Sequence, residues 1–157
     1  MPFPFHPQQN QMDCGPTCLY MVSRYYGRVF GLEKLRELTE IGKEGVNLLG
    51  ISDAAEKIGF QTTALKLGFE KLMIDSPKPA ILHWGQNHFI VLPPQKKSPF
   101  NFLFNNNQYN NITIADPAKG IITISKELFL AKWICEKNFE CEPTGIALLL
   151  EPGPKFY

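Results

Sequence analysis

The sequence predicts an α+β fold, with a helical first half and a β-rich second half, and two observations lead to it. Up to residue 59 apolar residues recur at spacings of three and four, and from residue 60 they alternate or form short apolar runs. Helices that precede the strands favour α+β over an alternating α/β arrangement. At 157 residues the chain has the length of a single domain.

Helical periodicity predicts three helices in the first half, over residues 14–26, 32–38 and 48–58. Asp13 stands at the N-cap position of the first helix, where its side chain can accept a hydrogen bond from a free N–H. Gly27 and Gly59 end the first and third helices, because glycine readily adopts the conformation that follows a helix. These bounds place Cys14 at the N-terminus of the first helix.

The second half is predicted to be mainly strands, which cover residues 61–67, 79–84, 88–92, 112–115, 121–124 and 145–150. A fourth helix is predicted over residues 126–133. Residues 93–111 are rich in Pro, Asn and Lys and predict a long excursion between two core strands, in the manner of an extended hairpin. We assign residues 1–150 to the domain and residues 151–157, which show no strand pattern, to the start of a linker.

Charge and composition argue against several classes of partner. Lys and Arg number 16 and Asp and Glu 15, so no excess of basic charge predicts binding to nucleic acid or to an anionic membrane. No apolar stretch reaches the roughly 20 residues of a transmembrane helix, and the first residues do not resemble a signal peptide. We expect a soluble, unsecreted chain in a reducing compartment, where its four cysteines are free thiols.

Residues 13–15, Asp-Cys-Gly, carry the clearest chemical signal in the sequence. A helix N-terminus offers partial positive charge and free N–H groups, which favour a thiolate over a thiol, and the thiolate is the nucleophilic form of cysteine. Gly15 has no side chain and leaves room for a substrate backbone to approach. Cys14 is therefore the candidate nucleophile.

A thiolate nucleophile needs a base that keeps it ionised and later protonates the leaving group, and histidine can do both near neutral pH. Of the three histidines, His6 lies in an irregular segment and His83 lies inside an apolar run, where a structural role is expected. His88 begins an apolar strand and can face a cleft. Asp116 ends a strand and can hold the imidazole in one tautomer. We predict His88 as general base and Asp116 as its orienting residue.

An oxyanion site is also required, because negative charge develops on the substrate carbonyl during attack. The N–H of Cys14 and the side-chain amide of a glutamine are suitable donors. Gln8, Gln9 and Gln11 all precede Cys14, and the residues alone do not choose among them.

The cysteines have other possible uses. Cys18 lies one helical turn after Cys14 and is expected in the core. Cys14/Cys18 and Cys135/Cys141 could form the ligand pairs of a zinc site, but gaps of three and five residues are less typical than gaps of two. Cys135 and Cys141 are also close enough in sequence for a disulfide, although a reducing compartment favours free thiols.

Taken together, these residues resemble the N-terminal peptidase domain of bacteriocin-processing ABC exporters, which cleaves double-glycine leader peptides. The family's glutamine, followed after four residues by Asp-Cys-Gly, resembles Gln8 and residues 13–15. Its histidine at the head of an apolar strand resembles His88. Its Asp-Pro pair with a nearby glycine resembles residues 116–117 and Gly120. The likeness covers nearly the whole chain, including the segments at residues 45–47 and 150–152.

The resemblance implies a papain-like cysteine peptidase fold. A helical half that carries Cys14 packs on an antiparallel sheet that carries His88 and Asp116, and the active-site cleft lies between them. The implied catalytic residues are Cys14, His88 and Asp116, with Gln8 as the oxyanion residue. No metal or cofactor is implied, and ATP serves only the other domains of the parent exporter.

The resemblance also implies the partners and the location. The substrate is a bacteriocin or related peptide precursor whose leader ends in two glycines or Gly-Ala, and its amphipathic helix docks on an apolar patch. The transmembrane and ATP-binding domains of the exporter are the other partners, on the cytoplasmic side of the bacterial inner membrane. Two alternatives use the same residues: an inactive module that only binds the exporter's substrate, and a papain-like hydrolase of another amide. Cys14 and His88 disfavour the first, and the missing secretion signal disfavours the second.

Overall fold

The computed structural model describes residues 3–39, 47–96, 109–138 and 140–157. The helices are α1 (Cys14–Tyr25), α2 (Leu32–Thr39), α3 (Leu48–Lys57) and α4 (Lys126–Trp133), and a π-helical turn covers Lys71–Asp75. The strands are β1 (Phe60–Leu67), β2 (Ala80–Trp84), β3 (His88–Leu92), β4 (Asn111–Asp116), β5 (Gly120–Ser125), β6 (Ile134–Asn138) and β7 (Cys141–Pro152). No helix within the described residues combines the length and apolar character needed to cross a bilayer.

The strands form one antiparallel sheet, in the order β1-β7-β2-β3-β4-β5, with β6 paired to β7. β3 and β4 are neighbours, and Val91 is opposite Ala115. Because neighbouring antiparallel strands run in opposite directions, the first residue of β3 and the last residue of β4 come to the same end of the sheet. This arrangement brings His88 towards Asp116.

Both faces of the sheet are covered by helices. On one face α1, α2 and α3 enclose the first apolar cluster, to which β3 contributes Phe89 and Val91. On the other face α4 closes a second cluster, to which β3 contributes Ile90 and Leu92. Successive strand residues point to opposite faces, so β3 buries apolar side chains on both sides. This double burial explains why β3 is a continuous apolar run in the sequence.

The predicted α+β fold is confirmed, and the structure adds two elements that the sequence pattern missed. The π-helical turn is one, and β6 is the other. β6 follows α4 without a break and contains only two apolar residues, Ile134 and Cys135, so it lacks an alternating pattern. β7 begins earlier than predicted, because its first residues are exposed and give no burial periodicity. Residues 45–46 of the family resemblance and residues 97–108 of the predicted excursion lie outside the described residues.

The segment predicted as the start of a linker packs on the domain. β7 continues through Pro152, and the N–H of Gly153 donates to the carbonyl of Gly59 at 2.9 Å. Phe156 is fully buried in the first apolar cluster. Gly59 has φ +109°, and a Cβ at this position would lie 2.4 Å from the Phe156 Cα. Packing of residues 153–157 on the domain therefore requires glycine at position 59, because the backbone conformation there is left-handed and a side chain would have no space.

Candidate active site

Cys14 is the first residue of α1 and is buried, with 5% of its surface exposed. The helix begins here for local reasons. The N–H of Thr17 donates to the carbonyl of Asp13 at 3.0 Å and closes the first turn. Pro16 lies within that turn, where the N–H that proline lacks would have no partner within the helix. The thiol of Cys14 therefore lies at a rigid helix N-terminus.

His88 and Asp116 form a close pair at the end of the sheet. The His88 Nε2 and the Asp116 Oδ1 are 2.6 Å apart, and Asp116 is buried with 2% of its surface exposed. The same carboxylate oxygen accepts a hydrogen bond from the N–H of Ala118 at 2.9 Å, in the turn that follows β4. Because Nε2 is held by Asp116, Nδ1 is the ring nitrogen left to interact with Cys14, which helps to stabilise the charged form of His88. The structure thus brings together the three residues predicted as a triad.

The contacts of His88 raise its pKa to about 9. Burial by itself lowers this pKa, but the hydrogen bonds with Asp116 and with Cys14 outweigh the burial because both partners favour the imidazolium. For Asp116, burial raises the pKa, but the hydrogen bonds from His88 and from the N–H of Ala118 lower it below its ordinary value. The site therefore favours an imidazolium next to a carboxylate.

Gln8 contacts the sheet half of the site through its backbone. Its main-chain N–H donates to the carbonyl of Pro117, one residue after Asp116, at 2.9 Å. Its side-chain Nε2 donates to the carbonyl of Asn10 at 3.0 Å. Exchanging the amide oxygen and nitrogen would bring two acceptors together, so this contact fixes the orientation of the amide. The second N–H of the amide is left for another acceptor, while Gln8 Oε1 is buried without a partner among the described residues.

The sequence analysis missed Arg36 in α2. Its guanidinium donates to both carboxylate oxygens of Asp13 and to the Oε1 of Gln9. Asp13 was predicted to cap α1, but its side chain makes no capping hydrogen bond because Arg36 holds it. An aspartate beside the nucleophile requires a cation when it is buried, which would have pointed to a basic residue nearby. Several basic residues of the first half fit that description, and the sequence alone does not choose Arg36 among Arg24, Arg28, Lys34 and Arg36.

The remaining cysteines and histidines lie outside the triad. Cys18 is fully buried, and burial raises the pKa of its thiol well above the ordinary value. Cys135 and Cys141 are exposed free thiols. His83 makes a hydrogen bond with the carbonyl of Gln86 at 3.2 Å. In the described part of the chain, no three His, Cys, Asp or Glu side chains are grouped so that they could hold a metal ion.

The raised pKa of His88 predicts a pH dependence. In the folded protein the pKa is about 9, above the value of 6.5 expected for an unperturbed histidine. Protonated His88 therefore stabilises the fold fully below about pH 6.5, and this contribution is lost as the pH rises through about 9. Asp116→Asn is expected to lower the titration midpoint of the His88 ring in an NMR titration, because a neutral amide does not stabilise the imidazolium.

Cys14→Ala provides the matched variant for this titration. It removes the second favourable contact and is expected to lower the His88 midpoint as well, by less than Asp116→Asn does. A midpoint that stays near 9 in the Asp116→Asn protein would contradict the importance of the 2.6 Å contact.

Comparison with known proteins agrees with this geometry. The pattern that defines the Peptidase C39 family matches residues 2–155. Among curated proteins, the chain is 33% identical to the colicin V secretion/processing ATP-binding protein CvaB of Escherichia coli, over 95% of this chain and 18% of that protein. It is also 33% identical to the transport/processing ATP-binding protein ComA of Streptococcus pneumoniae, over 97% of this chain and 19% of that protein. The chain thus spans about a fifth of the length of these relatives.

Two solved structures have the same fold. A double glycine motif protease from an AMS/PCAT transporter, solved in complex with the leader peptide, superposes with a TM-score of 0.77 and 30% identity, over 95% of this chain and 91% of that one. The peptidase domain of Streptococcus ComA superposes with a TM-score of 0.74 and 29% identity, over 96% of this chain and 99% of that one. The papain-like α+β fold implied by the resemblance is confirmed, and the chain belongs to the Peptidase C39 family.

Proposed function

We propose that the chain is a cysteine endopeptidase that removes the double-glycine leader from bacteriocin or related peptide precursors. Cys14 is the nucleophile, His88 is the general acid and base, Asp116 orients His88, and Gln8 contributes to the oxyanion site. The observation that carries this proposal is the chain of contacts from Cys14 to His88 to Asp116, with 2.6 Å between the last two side chains. A thiol that contacts an oriented imidazole is the arrangement that nucleophilic cysteine catalysis requires.

The reaction begins with the Cys14 thiolate and the His88 imidazolium. The sulfur attacks the carbonyl carbon of the second glycine, and the carbonyl oxygen takes up negative charge. The N–H of Cys14 and the free N–H of the Gln8 amide stabilise this oxyanion. As the C–N bond breaks, His88 gives its proton to the departing amine of the mature peptide. The leader remains bound to Cys14 as a thioester.

Hydrolysis of the thioester restores the enzyme. His88, now neutral, takes a proton from water, and the resulting hydroxide attacks the thioester carbonyl. When the C–S bond breaks, the leader leaves as a carboxylic acid, which loses its proton to the solvent, and Cys14 is again a thiolate beside the imidazolium. Asp116 favours the charged form of His88 at the beginning and at the end of this cycle, because its carboxylate accepts a hydrogen bond from Nε2.

The substrate class is supported by the relatives. One similar structure is a double glycine motif protease bound to the leader peptide, and CvaB is named as a secretion and processing protein for colicin V. We infer that this domain works as part of an ABC exporter, on the cytoplasmic side of the bacterial inner membrane. ATP would then bind to another part of the exporter, and the domain's own chemistry uses no cofactor.

A cleavage assay tests the substrate assignment. Synthetic precursors with double-glycine leaders, including that of colicin V, are incubated with the protein, and the products are identified by mass spectrometry. We expect a single cut after the second glycine. Replacing either glycine of the peptide by valine is expected to reduce the cleavage rate by at least about a hundredfold, because a branched side chain next to the bond hinders the approach to Cys14.

Two outcomes would contradict the proposal. Equal cleavage of the glycine and valine peptides would exclude a double-glycine specificity and favour a hydrolase of another amide. Binding of the leader without any cleavage, measured by calorimetry on the same peptides, would favour a module that only holds the exporter's substrate.

A further inference from the structure

An ion pair between the buried Asp13 and the partly exposed Arg36 adjoins the nucleophile and has no part in the mechanism above. The Asp13 side chain is 1% exposed. Arg36 donates from Nε to the Asp13 Oδ1 at 3.0 Å and from Nη2 to the Asp13 Oδ2 at 2.6 Å. A buried carboxylate without a partner is strongly unfavourable, so Asp13 depends on this cation. The guanidinium of Arg36 is charged at any physiological pH, and the hydrogen bond with Asp13 raises its pKa further.

Asp13 occupies the N-cap position of α1 but does not cap the helix. An aspartate in this position ordinarily accepts a hydrogen bond from the N–H of the second or third helical residue. The carboxylate of Asp13 makes no such bond. The third helical residue is Pro16, which has no N–H. The N–H groups of Cys14 and Gly15 are therefore left without an acceptor among the described residues, and both lie beside the thiol.

Arg36 also holds the loop that carries Gln8. Its Nη2 donates to the Oε1 of Gln9 at 2.9 Å, next to the proposed oxyanion residue. Within the loop, the carbonyl of Asn10 accepts from the Nε2 of Gln8 at 3.0 Å and from the N–H of Asp13 at 3.2 Å. Arg36 thus contacts this loop at two points, one on each side of Asn10.

We propose that Arg36 is a positioning residue for the oxyanion site. It keeps the Asp13 carboxylate away from the N–H groups of α1 and steadies the loop on which Gln8 lies. Without Arg36, the carboxylate turns to the helix N-terminus, takes the N–H of Gly15 and brings an uncompensated negative charge next to Cys14. This inference rests on the proposed function, because an oxyanion site serves a reaction at a carbonyl group.

Arg36→Met tests the inference in the leader cleavage assay. We expect kcat to fall about tenfold to a hundredfold and KM to stay within about twofold of the native value, because oxyanion contacts strengthen only in the transition state. Circular dichroism confirms that each protein is folded at the assay temperature. The matched control is Arg24→Met, which removes an exposed arginine of α1 that packs over the Tyr20 ring and is expected to leave kcat and KM unchanged.

Two further variants separate positioning from a structural role. Asp13→Ala combined with Arg36→Met removes the freed carboxylate, so most of the kcat lost in Arg36→Met is expected to return. Arg36→Lys keeps the charge but cannot donate to both carboxylate oxygens in the same plane. Its kcat is expected to lie between those of the native protein and Arg36→Met, and this variant provides the answer if Arg36→Met does not fold.

A second readout does not depend on the leader peptide. Iodoacetamide alkylates Cys14, and mass spectrometry distinguishes this product from those of the exposed Cys135 and Cys141. Arg36→Met is expected to slow alkylation of Cys14 roughly tenfold, and the double variant is expected to restore the rate. If the native protein does not cleave leaders but alkylation follows this order, the proposed function fails, and only the control of the Asp13 carboxylate next to Cys14 by Arg36 stands. If native cleavage is normal and folded Arg36→Met keeps kcat within about twofold, the role of Arg36 is refuted and the proposed function stands.

Discussion

Cys14→Ala is expected to abolish leader cleavage, with a fall in kcat on the order of 10⁴-fold or more. Alanine keeps the backbone N–H of residue 14 but removes the sulfur, so no thioester forms. Binding of the leader is expected to remain within about threefold of the native affinity, because the substitution deletes a single atom. Single-turnover cleavage, followed by mass spectrometry, and calorimetry on the same peptide measure the two effects separately.

The matched control is Cys135→Ala. This exposed cysteine of β6 approaches the carbonyl of Thr144 at 3.7 Å and has no contact with His88. Its substitution is expected to leave kcat within about twofold of the native value. Cleavage that persists in Cys14→Ala would overturn the assignment of the nucleophile, since no other thiol of the chain contacts the His88 ring in the described residues.

Phe156→Ala is expected to lower the free energy of unfolding by about 3–5 kcal/mol. Phe156 is fully buried, and its ring centroid lies 4.5 Å from that of Phe60 and 6.3 Å from that of Phe30. Its main-chain carbonyl also accepts a hydrogen bond from Arg28. Truncation to alanine leaves a cavity in the first apolar cluster, and a domain of this size has only about 5–15 kcal/mol of stability in total. Urea unfolding monitored by circular dichroism measures the loss.

Tyr157→Ala is the neighbouring control. Its residue surface is 76% exposed, although its hydroxyl donates to the carbonyl of Tyr26 at 2.9 Å. The expected loss is about 1 kcal/mol. Equal losses in the two variants, or a loss below about 1 kcal/mol in Phe156→Ala, would show that residues 153–157 contribute little to the core and behave as the linker that the sequence predicts.

Most of the fold could be predicted because buried helices and strands place apolar residues at regular spacings in the sequence. The helices and buried strands carry repeating apolar residues, and Gly27 and Gly59 end two helices with positive φ, +95° and +109°. β6 could not be predicted, because a mostly polar strand that directly follows a helix shows no regular spacing of apolar residues. Phe156 was missed for a related reason. A single apolar residue among prolines and glycine has no periodicity, yet it packs in the core.

The candidate site was predictable where the chemistry is local. Cys14 at a helix start and His88 at a strand start could be recognised from the residues next to them in the sequence, and the structure brings the two side chains together. Gln8 could not be separated from two nearby glutamines without the family resemblance. Arg36 could not be predicted, because its contact with Asp13 joins residues that are 23 positions apart, and their pairing depends on how α2 packs against α1.

The position of β7 affects how the domain can assemble as it is synthesised. Phe60 pairs with Pro152 and Leu67 with Gly145. β1 therefore cannot pair until β7 has been synthesised, much later in the chain. Until residues 141–152 leave the ribosome, β1 and β2 have no strand between them, and the first apolar cluster lacks Leu148 and Leu150. Pairings between distant segments slow folding and prolong the exposure of aggregation-prone surface. The sheet between β1 and β2 is therefore completed only when β7 has been synthesised.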